Sequence, residues 1–320
     1  MTLANLPAVE PRTARAHGAM LLSTLLVATS HPVVASIAGA LDSRVLVALR
    51  FVFAALLFAP LVAWRHGRSA LPSPSSLGRY ALLSAPLVGF FLGMFEALRT
   101  TTAVRTGALL VFAPGFAALF SVLLLRERIP VRRILGLALG MVGASWVVLR
   151  GDSAHALLSS LVADDAWFFA GTASLGLYSA LIKRLHRGEP MEVMTFWTLA
   201  TGAAWLVLLG RGELAALRWS ELEPRTLAGV AYLAVFSTMA TSLLSQSATV
   251  VIGATRAMAY STLNPALVAL VSWTLGAGAL GVSALPGVGL TLLSMLVLQR
   301  DAAPPREPRL ATASLEPCRP

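Results

Sequence analysis

The sequence predicts an all-α polytopic membrane protein whose ten transmembrane helices form two inverted five-helix repeats. Three observations lead there. Of 320 residues, 57% are hydrophobic and only 12% are charged, which excludes the two water-soluble domains that the length alone would allow. The apolar residues fall in runs long enough to cross ~30 Å of hydrocarbon as helices. Shifting the chain by 151 positions lays residues 92–139 on 243–290 without a gap. The thirteen identities include Arg105/Arg256, Pro114/Pro265, Ser121/Ser272 and Gly136/Gly287. Most of the others are Ala or Leu, which this composition supplies cheaply, so the Arg, Pro and Gly pairs carry the weight.

Residues 1–16, with Pro7, Pro11, Arg12 and Arg15, read as a disordered polar N-tail. The first repeat, 17–149, holds apolar segments at about 17–40, 44–64, 80–98, 103–125 and 131–149. Ala38-Gly39-Ala40 imitates a signal-peptide cleavage site, but the preceding apolar run is longer than a signal peptide uses, and cleavage would break the five-plus-five pattern. A linker, 150–165, carries Asp152, Asp164 and Asp165. The second repeat, 166–299, has segments at about 166–182, 193–210, 226–247, 254–275 and 282–299. Turns at Arg65-His66-Gly67-Arg68, Gly151-Asp152, Arg187-Gly188-Glu189-Pro190 and Glu223-Pro224 separate them. Residues 300–320, rich in proline and charge, read as a disordered C-tail.

The net charge of +10 comes from 24 Arg and one Lys set almost wholly in short loops and tails, so they determine topology and do not form a nucleic-acid surface. Assigning loops to alternate sides places 17 of these cations on the side of both termini and 7 on the other. Both termini are then cytoplasmic and the 150–165 linker external. With five helices per half, the second repeat is inverted. The lone Cys318 supplies no disulfide framework.

The hairpin from Ala103 to Leu149 resembles the EamA-type domain of the drug/metabolite transporter superfamily. That pattern joins a helix with a central Pro to a short turn bearing Glu and then a Gly-rich helix. Pro114, Glu127 and Gly136/Gly143 stand at those places, and LRFVFAALLFAPL from Leu49 resembles the family's second helix with its entering Arg. His31-Pro32 resembles the family's aromatic-then-Pro pattern in the first helix. The likeness spans nearly all of 18–299. It implies a secondary transporter, working by alternating access, that exports small amphipathic metabolites such as amino acids. Gly278 stands where the second copy would carry the turn Glu, a departure from the family pattern.

Candidate site residues follow from the cost of polar groups at membrane depth. Tyr260 and Asn264 precede Pro265, and this stretch and Pro114, each read as a kink in its helix, are the expected substrate contacts, with His31 as a further one. Asn264 has Ala113 as its repeat counterpart. Glu96 is the only carboxylate well inside an apolar run. It reads either as a proton-coupling group or as an interfacial partner of Arg99, and its repeat counterpart is Ser247. Arg50 reads as an arginine snorkelling to the headgroups, with a coupling role as the alternative. Arg105 and Arg256 stand at equivalent helix starts, where they could flank the two mouths of a pathway or anchor the interface. Glu127, among four arginines, reads as a local structural neutraliser, or a gating residue if the turn moves.

Trp167, Phe168, Phe169, Phe196 and Trp197 read as interfacial belt aromatics. Gly136-x-x-x-Gly140 with Gly143 offers a small-residue face for packing within the monomer or in a homodimer. No Walker loop, HExxH, GxSxG or Cys/His metal spacing occurs, so neither enzyme chemistry, cofactor nor metal is expected. The expected partners are a small-molecule substrate and the lipid bilayer. A membrane sensor or assembly subunit with the same fold is the reading from another class. Abundant Arg and Ala beside one Lys suggest a GC-rich bacterial genome and hence the bacterial inner membrane.

The topology is tested with paired reporter fusions at Asp165 and Arg300. The first should report the external side and the second the cytoplasm; cytoplasmic signals from both would overturn the assignment.

Overall fold

The computed structural model describes residues 11–37, 40–98, 109–149, 165–276 and 282–299, and all regular structure among them is helical. The first half contains α1 (Pro11–Ile37), α2 (Ser43–His66), α3 (Pro74–Leu98), α4 (Ala113–Leu125) and α5 (Val131–Leu149). The second begins with α6 (Asp165–Leu185) and α7 (Met191–Leu209), followed by a short surface helix, Arg211–Ala215. Next, α8 (Pro224–Tyr232) runs through a π-helical stretch, Leu233–Ala240, into α9 (Thr241–Ile252). After α10 (Ala254–Ala259) come a 3-10 turn, Tyr260–Leu263, then α11 (Asn264–Thr274) and α12 (Leu285–Gln299). Among the described residues, five helices are long and apolar enough to cross a membrane, and Ala113–Leu125 and Leu285–Leu298 are shorter apolar helices. The protein is therefore a multi-pass membrane protein. The first helix starts at Pro11, so Pro11 to Ala16 are helical and do not belong to a disordered tail.

Hydrocarbon is as apolar as leucine, so the outside of the bundle carries large apolar side chains and the inside is chosen for fit. Leu56, Leu57, Leu123, Leu135, Leu208, Leu293 and Leu296 are all exposed, whereas Ser84, Ser121, Thr172, Thr195, Thr198 and Gln246 are fully buried. Several of these polar groups are paired, whereas the Thr172 hydroxyl has no partner among the described residues. Thr195 donates to Gln246 Oε1 at 3.0 Å, and Gln246 Nε2 donates to the Tyr178 hydroxyl at 2.8 Å, which ties α6, α7 and α9 together. Around them Phe51, Phe58, Leu83, Ile182, Met194 and Leu199 form one apolar cluster.

The most extensive contacts are α3 against α6, α5 against α12, α1 against α9, α4 against α6 and α2 against α7. Small residues make the closest of these possible. Adding a Cβ at Gly143 would put it 2.8 Å from the Gly287 carbonyl oxygen, and one at Gly93 would lie 2.6 Å from the Trp167 carbonyl oxygen. Ser294 Oγ donates to the Gly136 carbonyl at 2.6 Å. The Gly136, Gly140 and Gly143 face is thus occupied by α12 of the same chain.

Three basic connections gather at one end of the bundle. Arg65 pairs with Glu192 at 3.1 Å, Arg79 with Glu189 at 3.0 Å, and Lys183 with Glu127 at 2.6 Å. Arg184 donates to the Leu124 carbonyl. At the opposite end Arg44 pairs with Glu213 at 2.7 Å, and the Asp42 side chain caps α2 by accepting from Arg44 N. Glu213 is held below the usual carboxylate range first by its own backbone N–H and then by Arg44, so this tie is present near neutral pH and is lost as pH falls through the lowered value.

The belt reading needs correction at two aromatics. Trp167 is exposed, but Phe168 is 2% exposed and packs against Leu109, and Trp197 donates from Nε1 to the Ala70 carbonyl at 2.7 Å. Both lie at helix starts, and their position in the sequence does not show which face turns inward.

Substituting Gly143→Ala should lower stability by about 1–3 kcal/mol, because the new methyl meets backbone on α12 that has no room to move. Thermal denaturation in detergent reads this. Gly289→Ala, where an added Cβ meets nothing within 4 Å, should stay within ~0.5 kcal/mol of the parent.

Candidate functional site

Pro114 and Pro265 do not kink continuous helices. Each stands at the first turn of a new one: Pro114 in α4 after a turn at Val111 and Phe112, and Pro265 in α11 after the 3-10 turn. Proline fits there because its missing N–H is one that the first turn leaves unpaired anyway. The expected kink is corrected to a break followed by a restart, and a break frees more backbone than a kink does.

Five polar residues lie around the second break. Tyr260 is 2% exposed, and its hydroxyl lies 2.7 Å from His17 Nδ1 of α1, with ring centroids 6.0 Å apart. Arg256, in α10, is close enough for its charge to act on His17. Asn264 is half-buried, and its Oδ1, like Ser261 Oγ, is buried without a hydrogen-bond partner among the described residues. A buried polar atom left unpaired costs about 1–3 kcal/mol, so two side by side mark a place built for something besides stability. Position alone did not single out His17. The usable signal was the 151-residue offset, which maps Tyr260 on Leu109 and His17 on Phe168. Leu109 and Phe168 are also in contact, so of two equivalent contacts between the halves one is a hydrogen-bonded pair and the other an apolar pair.

A second polar centre surrounds Arg50. Snorkelling would leave its guanidinium at the surface, yet the residue is 8% exposed. Nε donates to Thr238 Oγ1 at 3.3 Å and Nη2 to Ser237 Oγ at 3.2 Å, and the guanidinium carbon lies 5.8 Å from the Phe91 ring centre. The snorkelling expectation is overturned because Arg50 lies on the face of α2 that meets the π-helical stretch, which sequence spacing from Arg44 does not reveal.

The other candidates are dispersed. His31 lies exposed on α1, fourteen residues from His17 and so about 21 Å along the helix, which separates it from Tyr260. Glu127 follows Arg126, whose left-handed φ of 53° closes α4, and Glu127 bonds to Lys183, the only lysine. Glu96 falls in α3, but its side chain lies outside the described residues, as does Arg105. Two surface clefts stand out among the described residues. One, of about 460 Å³, involves Leu119, Glu127 and Arg128; the other, of about 810 Å³, involves Arg12, Arg15 and Ser247. Neither is lined by Tyr260, Asn264, Pro114 or Pro265. Among the described residues, no three His, Cys, Asp or Glu side chains gather to hold a metal ion.

Helix breaks with matched prolines, small-residue seams and buried polar groups lead to a comparison with known membrane proteins. The EamA-like transporter family matches residues 15–149 and 164–300. The chain belongs to the EamA-like transporter family. This supports a membrane transporter, and the residues matched fall in two blocks. A relative in Bacillus subtilis (strain 168), the uncharacterized transporter YyaM, is 22% identical over 191 residues, which is 59% of this chain and 62% of that protein. A solved structure described only as a crystal structure of a protein shares the fold, with a TM-score of 0.68 and 21% identity over 90% of this chain and 96% of that one. Within the EamA fold, the polar groups therefore gather in two centres, one at the second break and one at Arg50.

If Tyr260 and His17 act through their one hydrogen bond, Tyr260→Phe and His17→Phe should each cost ~1–3 kcal/mol. The double variant should lose no more than the larger single loss, since either change deletes the same bond. Additive losses in thermal denaturation would show that the two side chains act separately.

Proposed function

We propose that this EamA-family chain is a secondary transporter that exports small amphipathic, amino-acid-like metabolites across the bacterial inner membrane, by alternating access between two inverted five-helix halves. Both termini are cytoplasmic in this reading, and the basic end that carries Lys183 and Glu127 is the cytoplasmic one.

The observation that carries the reading is the way packing partners exchange. Under the 151-residue offset, α1 corresponds to α6, α2 to α7, α3 to the α8–α9 span, α4 to the α10–α11 span and α5 to α12. The contact of α3 with α6 then maps on that of α9 with α1, and α4 with α6 maps on α11 with α1. The contacts α2 with α7 and α5 with α12 map on themselves. A bundle whose contacts survive exchange of its halves has two arrangements of similar energy, related by swapping their roles, and this is what alternating access requires.

Substrate passes between the two helix breaks in this proposal. Tyr260, Asn264 and Pro265 form one wall and Pro114 the other, with His31 further along α1. Asn264 faces the substrate with an oxygen that no described residue satisfies. Glu96 is the group proposed to exchange protons during coupling. Arg256 and Arg105 flank the two mouths, and Glu127 links the turn after α4 to Lys183.

The test is flux in proteoliposomes loaded with a panel of amino acids. Substrate-dependent efflux by the parent is expected, and Asn264→Ala should raise the apparent KM or lower turnover by the equivalent of ~1–3 kcal/mol at unchanged protein in the membrane. Parental kinetics in that variant at sub-saturating substrate would remove Asn264 from the pathway; no flux for any amino acid would reject the substrate class.

A further inference from the structure

We infer that Arg50 is the receptor for a substrate's carboxylate, and that Ser237 and Thr238 of the π-helical stretch complete an oxyanion site with it. The inference rests on the transport reading for its purpose but on separate observations for its geometry.

A guanidinium stays charged at any pH that a folded protein meets, so burying one leaves a full positive charge to be balanced. Arg50 is buried between two apolar clusters, with Val47, Phe51 and Ala54 in one and Leu46, Leu49 and Leu233 in the other. Its partners among the described residues are two hydroxyls and the Phe91 ring, and none is acidic. Arg79, a half-buried cation, shows what a structural arrangement looks like: it pairs with Glu189 at 3.0 Å and donates to the Leu185 carbonyl at 3.0 Å. Arg50 has its hydroxyls but, among the described residues, no anion.

The hydroxyls favour an oxyanion. Ser237 Oγ and Thr238 Oγ1 each accept a hydrogen bond from Arg50 and keep their own proton for a further acceptor, which a carboxylate oxygen supplies. Adjacent residues of a regular α-helix diverge by about 100°, and the π-helical turns from Leu233 to Ala240 hold both Ser237 and Thr238 within reach of one guanidinium. Such widened turns recur at functional sites. The apolar surroundings select among anions. One guanidinium balances a single negative charge, and the Leu46, Leu49, Leu233 and Phe91 side chains suit an apolar tail, so a monocarboxylate with an aliphatic or aromatic body fits better than phosphate or chloride.

The experiment uses the full chain purified in detergent, with tryptophan fluorescence reporting thermal denaturation. The probes are the straight-chain monocarboxylates from acetate to octanoate and the common L-amino acids, each beside its amide, with chloride and inorganic phosphate as separate arms. At least one carboxylate should raise the Tm of the parent while its amide does not. In Arg50→Gln that ligand's affinity should fall by roughly thirtyfold or more, because the charge-assisted partner is gone. Arg44→Gln, at the surface, should leave it unchanged. Without ligand, Arg50→Gln should denature at the same or a higher temperature than the parent, since it removes a buried charge that no described residue balances.

Four results would overturn the site: no carboxylate shifts the parent, a shift persists in Arg50→Gln, only phosphate or chloride gives a shift, or unliganded Arg50→Gln is strongly destabilised, which marks a structural arginine. Failure of the site and failure of the transport reading remain distinguishable. Carboxylate binding that needs Arg50 without flux in proteoliposomes rejects transport and keeps the site. Flux that is indifferent to Arg50→Gln rejects the site and keeps transport.

Discussion

Joining two apolar helices inside a bilayer gains little, because lipid solvates leucine as well as another leucine does. What holds this bundle is therefore close approach and hydrogen bonding. The α5–α12 seam shows the first: Gly143 and Gly287 let two backbones meet where even a methyl would collide, and Ser294 reaches the Gly136 carbonyl across the gap. The Thr195–Gln246–Tyr178 chain shows the second. Every other feature depends on this constraint, since interior positions must be small or paired, and any that are neither stand out.

By that measure the lone Thr172 hydroxyl stands out, and so do two clusters. At the second helix break, Ser261 and Asn264 keep oxygens without partners beside a satisfied His17–Tyr260 pair. At Arg50, a charge is buried with hydroxyls and a ring but no acid among the described residues. Both lie where helices are irregular, one at a 3-10 turn and restart and the other against π-helical turns. Irregular backbone in a membrane bundle frees polar groups, and it is tolerated where those groups face protein or a cavity and not lipid. The co-location of broken regularity and unsatisfied polarity is the physical basis for placing function there.

The two halves match in layout but differ in chemistry. The same register sets Leu109 against Phe168 at one contact between the halves and Tyr260 against His17 at the equivalent contact, and Ala113 and Asn264 are counterparts. Duplication fixes where helices break and which ones touch. Divergence at single positions then gives each half its own polarity, so that a pathway between them would present unlike walls to its cargo.

Composition and run length sufficed for the membrane class, the resemblance of the Pro114, Glu127 and Gly136/Gly143 hairpin pointed to the family, and the 151-residue offset marked Pro114 and Pro265 as places where the helices are interrupted, because these follow from local rules: apolar length for spanning, and proline where the regular ladder cannot continue. The inside of the bundle was not legible in the same way. Which face of α2 turns inward decides whether Arg50 snorkels or is buried, and Phe168 and Trp197 show the same dependence at helix starts. His17 became a site residue only because α1 lies across the second break and begins a turn and a half earlier than its apolar run suggests. Local sequence sets where a helix can exist, but its rotation and its neighbours are set by contacts between residues as far apart as His17 and Tyr260, and only the tertiary structure decides those.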